Sequence, residues 1–99
     1  WAVDVLMDGA FFNSGQCCCG IERIYVHRSK FDEFVDRATA WTRQQRLGNP
    51  LDAATTMGPM ANARFAREVR AQVAEAVAAG ARPLVDPKLF PQDDGGAYL

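Results

Sequence analysis

Residues 11–20 read FFNSGQCCCG, and this stretch carries all three cysteines of the 99-residue chain. Before it, apolar residues recur at helical spacing from Val3 to Phe11, which predicts a helix over residues 1–13. Gly15 is a natural helix stop, so the cysteines are predicted to lie in a turn or loop. A helix that ends at a loop of thiols is therefore the first unit of the fold.

The remainder of the chain predicts further helices and two strands. Residues 22–27, ERIYVH, and residues 83–85, PLV, have the short β-rich composition of strands. Apolar stripes at three-to-four spacing predict helices over residues 29–47 and 60–79, the first with Ser29 as its N-cap. The order helix, cysteine loop, strand, helix, helix, strand indicates an α/β layer. Because two short strands cannot make a stable sheet alone, we expect a piece of a larger domain.

Composition excludes several classes of function. The net charge is -1 and the hydrophobic content is 48%, which gives no reason to expect nucleic acid or an anionic membrane as a partner. No apolar run approaches the roughly 20 residues that cross a bilayer, and no signal peptide is visible. Three clustered cysteines do not form a disulfide framework. The sequence therefore predicts a cytoplasmic protein with reduced thiols.

The run of three cysteines is typical of a nucleophile flanked by small pocket walls. A metal site needs about four ligands at spread positions, which consecutive cysteines and the one histidine, His27, do not supply; we predict no metal. A disulfide between adjacent cysteines is strained. The competing interpretation is that all three are buried small hydrophobes. The preceding Gly15-Gln16 favours the nucleophile, because glycine lets the backbone bend close to a substrate.

The same stretch resembles the active-site signature of the NAD(P)-dependent aldehyde dehydrogenases. That signature is an aromatic residue, three residues, Gly, Gln or Glu, one variable residue, and the catalytic Cys. Phe11 and Gly15-Gln16 hold this frame, Cys17 takes the variable position, and Cys18 falls on the nucleophile.

The similarity covers essentially the whole chain. It continues through residues 22–27 and 31–35, which are similar to the strand and helix that follow the cysteine in the family. A second landmark is LGNPLD at residues 47–52 followed by Gly58-Pro59. By this resemblance the glycines and prolines of the second landmark are structural and shape the long loop between helices.

The resemblance implies an oxidoreductase that oxidises an aldehyde to a carboxylic acid with NAD or NADP. Cys18 is then the catalytic residue, which forms a thiohemiacetal and a thioester, and its backbone N–H contributes to the oxyanion hole. Phe12, Cys17 and Cys19 line the substrate pocket. Two alternatives stay open: a relative that transfers the acyl group to coenzyme A, and a non-catalytic fragment that packs against partners. The family implies a homodimer or homotetramer.

Other landmarks of the family are missing from residues 1–99: an upstream Glu base, an upstream Asn oxyanion donor, the nucleotide-binding domain and a downstream Glu-x-Phe-Gly-Pro motif. The chain also starts and stops mid-pattern, so we expect a partial catalytic domain that is inactive alone. Phe65 and Glu68 fall near positions where some members contact the cofactor ribose through Gln and Lys. Neither side chain can replace those groups, so no cofactor-binding residue is assigned.

Several other polar and aromatic residues have structural interpretations. We predict that His27 is a surface or hydrogen-bonded histidine and that Arg64 and Glu68, four residues apart, form a weak ion pair. We predict that Asp93-Asp94 is a solvated turn. Trp1 and Trp41 are predicted to be packing residues.

Overall fold

The computed structural model describes residues 1–99 and contains three α-helices and three short 3₁₀ turns. The helices are α1, Ala2–Phe11; α2, Phe31–Arg43; and α3, Ala63–Ala78. The 3₁₀ turns are Phe12–Gly15, Arg28–Lys30 and Pro87–Leu89. All three predicted helices are therefore present, each a few residues shorter than the sequence pattern predicts. None of them has both the length and the apolar content needed to span a bilayer.

The strands predicted at residues 22–27 and 83–85 are not confirmed. The one β-type pairing is an isolated parallel bridge between Leu47 and Met57. A strand is completed by a neighbour that accepts and donates its backbone hydrogen bonds, and neither segment has such a neighbour. The sheet layer of the predicted α/β arrangement is therefore absent, and the observed fold is helical.

The start of α2 differs from the prediction that Ser29 is its N-cap. His27 Nδ1 accepts the backbone N–H of Ser29 at 3.3 Å, and Arg28–Lys30 form a 3₁₀ turn before the helix. Lys30 occupies the N-cap position and makes no side-chain capping bond. The Ser29 prediction is wrong because Ser29 lies inside the 3₁₀ turn and its hydroxyl is paired with His27 Nδ1 at 2.9 Å. The prediction of an exposed, hydrogen-bonded His27 is confirmed.

Both ends of α3 have defined caps. The Asn62 side chain accepts the backbone N–H of Arg64 at 2.8 Å, which satisfies one free donor of the first turn. At the other end Gly80 has φ of 102°, and the N–H of Ala81 returns to the carbonyl of Ala76 at 2.9 Å. This left-handed glycine is a common helix stop, and the predicted end at Gly80 is confirmed.

The main helix packing is between α1 and α2. The ring centroids of Phe11 and Trp41 lie 5.6 Å apart at an interplanar angle of 49°, a favourable tilted geometry for aromatic rings. Trp41 is therefore a packing residue, as predicted. Trp1 is not, because 90% of its surface is exposed.

The core is small. Only four of the 99 residues are buried, and they are Met7, Leu47, Met60 and Ala66. Large apolar side chains from all three helices are exposed, among them Val5, Phe31, Phe65, Val73 and Val77. The apolar stripes of the helices are thus partly exposed, since three helices without a sheet cannot cover them, as expected of a piece of a larger domain.

Candidate active site

The chain reverses immediately after α1 through three consecutive left-handed residues. Asn13, Ser14 and Gly15 have φ values of 50°, 57° and 74°. Glycine adopts this conformation freely, whereas Asn13 and Ser14 each store strain of about 1–3 kcal/mol. The helix stop predicted at Gly15 falls earlier, because α1 ends at Phe11 and Gly15 instead closes the 3₁₀ turn that leads into the cysteines.

Two side chains around this turn bind a loop that lies far along the sequence. Ser14 Oγ donates to the carbonyl of Gly58 at 2.8 Å. Gln16 Oε1 accepts the backbone N–H of Ala61 at 2.8 Å, while its Nε2 donates to the carbonyl of Asn13 at 2.9 Å. The turn that precedes the cysteines is therefore fixed to residues 58–61 at two points.

The cysteines are fixed on their other side as well. The N–H of Gly20 returns to the carbonyl of Cys17 at 3.0 Å, and the N–H of Ile21 donates to the carbonyl of Gly9 in α1 at 3.1 Å. A Cβ on Gly9 would lie 2.8 Å from Ile21 Cδ1, so the glycine permits this close approach. The prediction that the cysteines lie in a loop is confirmed, and the loop is short and anchored at both ends.

The three thiols form a compact cluster. Their Sγ atoms all lie within 4.8 Å of one another, and those of Cys17 and Cys19 are 3.3 Å apart. Cys18 and Cys19 are exposed and Cys17 is half-buried. The alternative interpretation, that all three are buried hydrophobes, is therefore wrong. Exposure is the first requirement of a thiol that reacts with a substrate.

Hydrogen bonding makes the outer two thiols unequal. The backbone N–H and then the thiol of Cys19 lower the pKa of Cys17, because both stabilise its thiolate. The hydrogen bond to Cys17 and then the charge of Cys17 raise the pKa of Cys19. Within this pair the Cys17 thiol ionises at lower pH than the Cys19 thiol.

The backbone N–H of Cys18 donates to no backbone carbonyl. It contributes to the lowered pKa of the neighbouring Cys17 thiol, and a negatively charged oxygen at this site can also accept it. The cysteines also follow the C-terminal end of α1, where the helix dipole disfavours an anion.

Phe12, the fourth predicted site residue, lies apart from the thiol cluster. It is 60% exposed and lines an open groove of about 790 Å³ together with Trp41, Met57 and Pro59. None of the cysteines lines this groove. The structure thus brings together three of the four predicted site residues and places the fourth at the groove.

The side chains near the predicted ribose position are engaged with each other. Arg64 Nε lies 3.5 Å from Glu68 Oε1, which confirms the predicted exposed ion pair. The Arg64 guanidinium also lies over the ring of Phe65, 5.0 Å from its centroid. Phe65 offers no hydrogen-bonding group and the Glu68 carboxylate is paired with Arg64, so no cofactor contact is assigned to either residue.

No local pattern in the sequence indicates the contacts between the turn and the distant loop. Ser14 and Gly58 are 44 residues apart, and Gln16 and Ala61 are 45 apart. The predicted structural role of the Gly-Pro landmark is consistent with its packing, since a Cβ on Gly58 would lie 3.0 Å from Pro50 Cγ. The only sequence signal for this contact is that the cysteine motif and the Gly-Pro landmark both occur in this chain.

Comparison with known proteins identifies the family. The model of the aldehyde dehydrogenase family matches residues 1–99, the whole chain. The chain belongs to the aldehyde dehydrogenase family.

Individual relatives agree with this assignment. The chain is 44% identical over 59 residues to a protein of Homo sapiens named aldehyde dehydrogenase, mitochondrial, a match covering 60% of the chain and 11% of that protein. It is 32% identical over 99 residues to aldehyde dehydrogenase 9 of Polyandrocarpa misakiensis, covering all of the chain and 42% of that protein. A 3-sulfolactaldehyde dehydrogenase of Priestia megaterium is 36% identical over 98 residues, or 99% of the chain and 20% of that protein. The chain therefore spans less than half the length of these relatives.

Proposed function

We propose that residues 1–99 are part of the catalytic domain of an enzyme that oxidises an aldehyde to a carboxylic acid, with Cys18 as the nucleophile. The observation that carries this proposal is the exposed Cys18 thiol in the middle of a turn anchored on both sides. Family membership supplies the reaction class. The nucleotide-binding domain belongs to another part of the protein.

The first step is attack of the Cys18 thiolate on the aldehyde carbon. A C–S bond forms, and the electron pair of the carbonyl π bond moves onto oxygen to give a thiohemiacetal anion. The backbone N–H of Cys18, which donates to no backbone carbonyl, is one donor for that oxygen. The second donor lies outside this chain.

The second step removes a hydride from the same carbon and leaves a thioester. The acceptor implied by the family resemblance is NAD or NADP, and no residue of this chain is assigned to its binding. Water then cleaves the thioester, which yields the acid and restores the Cys18 thiol. If the thiol of coenzyme A attacks instead, the product is an acyl-coenzyme A.

The neighbouring side chains shape the substrate site. Cys17 and Cys19 flank the nucleophile, and Phe12 adds an apolar ring at the adjoining groove. These three residues determine which aldehydes fit the site and take no part in the attack on the aldehyde carbon. Assembly as a homodimer or homotetramer and a cytoplasmic location stay predictions from the sequence.

The decisive test is Cys18→Ser in the intact enzyme. A hydroxyl is close in size to a thiol but far harder to ionise, so we expect kcat to fall about a thousandfold or more with unchanged urea unfolding. Retention of more than about a tenth of kcat, a loss of under roughly 1.4 kcal/mol, would rule out Cys18 as the nucleophile.

Two measurements separate the alternatives. Product analysis with and without coenzyme A distinguishes hydrolysis of the thioester from acyl transfer. Site-resolved alkylation distinguishes an enzyme from a non-catalytic fragment: one fast-reacting cysteine, Cys18, indicates an assembled site, whereas three equally slow thiols indicate an inert piece.

A further inference from the structure

The strained turn before the cysteines is stabilised by contacts from outside the turn. Asn13 and Ser14 are non-glycine residues with φ of 50° and 57°, a conformation that persists only where the surrounding structure enforces it. We propose that Ser14 and Gln16 are positioning residues: by binding residues 58–61 they hold this turn, and with it Cys18, in its reactive placement. This inference rests on the proposed function of Cys18.

Gln16 is suited to the task because it uses both ends of its amide. Its oxygen accepts from the N–H of Ala61 and its nitrogen donates to the carbonyl of Asn13. The bond to Asn13 holds a strained residue of the turn, and the bond to Ala61 joins the turn to the distant loop. Gln16 stands two positions before Cys18, so a displacement of its backbone moves the nucleophile.

The loop that receives these bonds is itself fixed. Met60 is one of the four buried residues, and its N–H donates to the carbonyl of Ala97 at 2.9 Å. Gly58 packs closely against Pro50. Ser14 and Gln16 therefore fasten the turn to a loop that has its own contacts with the rest of the chain.

Three variants of the intact enzyme test the proposal. Gln16→Glu keeps the acceptor for Ala61 but loses the donor to Asn13, and Gln16→Met loses both. Ser14→Ala removes the hydroxyl but leaves a side chain that resists positive φ. Misplacement of a reacting atom by about 1 Å costs up to about a hundredfold. We therefore expect kcat to fall about tenfold for Gln16→Glu and up to about a hundredfold for Gln16→Met, with KM changed less than about threefold.

The matched control is Ser14→Gly. It removes the same hydroxyl as Ser14→Ala, but glycine adopts a φ of 57° without strain. We expect Ser14→Gly to retain more kcat than Ser14→Ala. A purely structural role for the hydroxyl instead lowers the free energy of unfolding in both variants, most in Ser14→Gly because glycine makes the unfolded chain more flexible, and leaves kcat of the folded enzyme unchanged.

A second readout needs no turnover. The rate of Cys18 alkylation by iodoacetamide, resolved by mass spectrometry, should change at least about threefold in Gln16→Met relative to the parent. Unchanged alkylation and unchanged kcat in Gln16→Glu and Ser14→Ala would overturn the proposal, even if Gln16→Met fails to fold. An active Cys18→Ser enzyme would overturn the proposed function instead, while the alkylation rates would still report whether the tether positions this thiol.

Discussion

Arg70 Nε donates a hydrogen bond to Oδ1 of Asp93 at 3.2 Å, and both side chains are half-buried. Arg70 also donates to the backbone carbonyls of Gly96 and Tyr98. These carbonyls flank Ala97, whose own carbonyl accepts the N–H of Met60. One arginine of α3 therefore fixes the segment that supports the loop beside the cysteine turn. The prediction of a solvated Asp93 is wrong, because this carboxylate pairs with a helix 23 residues away.

Loss of the Arg70 side chain should destabilise the protein. Arg70→Met keeps much of the apolar stem but leaves Asp93 and two carbonyls without their donor. Hydrogen bonds to charged groups contribute about 1.5–3 kcal/mol, and partial exposure reduces this, so we expect a loss of about 1–2 kcal/mol. Urea unfolding of the intact protein measures it.

The control for that experiment is Arg64→Met. Arg64 pairs with Glu68 on an exposed face of the same helix, and such pairs contribute about 0.5 kcal/mol or less. Equal losses for the two variants would show that Arg70 is an ordinary surface residue.

Substitution of the outer cysteines should change specificity and spare the chemistry. Cys17→Ala and Cys19→Ala alter the volume and polarisability beside the nucleophile, so we expect a shifted KM and aldehyde preference with kcat of the same order of magnitude. Steady-state kinetics on a short and a long aldehyde check this. If either variant abolished acyl-enzyme formation as completely as Cys18→Ser, the assignment of the nucleophile within the run would be wrong.

The outer cysteines should also react with alkylating reagents over different pH ranges. The pKa of Cys17 is lowered by Cys19, so its reactive thiolate persists to lower pH, whereas the raised pKa of Cys19 delays its reaction to higher pH. Alkylation followed by site-resolved mass spectrometry should give the Cys17 profile the lower midpoint. Because Cys17 is the main cause of the shift in Cys19, Cys17→Ala should move the Cys19 profile to lower pH. Coincident profiles in the parent would contradict this pairing.

Trp41 should be important for the packing of α1 on α2. Trp41→Ala removes the ring that contacts Phe11 and should cost about 2 kcal/mol of unfolding free energy, less than a fully buried tryptophan because Trp41 is half-buried. Trp41→Phe keeps an aromatic partner and should lose clearly less. Chemical denaturation of both variants decides it, and identical losses would show that the ring contact contributes nothing specific.

Local pattern predicted the helices well. The stripe around Phe34 and Trp41 and the stop at Gly80 depend on residues within a few turns of each other, and the structure agrees within a few residues. The strands failed for the opposite reason. A segment such as residues 22–27 becomes a strand only when another segment pairs with it, and no such partner is present among residues 1–99.

The candidate site likewise has features that local sequence predicts and features that depend on distant residues. The cysteine loop and its exposed thiols were predictable from eight or so neighbouring residues, but the partners of Ser14 and Gln16 were not, since they lie more than 40 residues away. Asp93 illustrates the limit most simply: a turn rich in Asp and Gly looks solvated until a helix arginine is placed beside it. Charge pairing at long separation has no local signal.

The uneven support of α3 has a consequence for its dynamics. Ala66 is fully buried and Arg70 is held by its hydrogen bonds to Asp93 and to the carbonyls of Gly96 and Tyr98, yet every residue from 71 to 84 is exposed. The free energy of local opening should therefore fall along this one helix, so that amide protons exchange slowly near Ala66 and quickly near Ala78. Hydrogen–deuterium exchange on the intact protein measures the amide exchange rate along α3. The further slow exchange extends beyond Arg70, the more of the helix is covered by another part of the assembly.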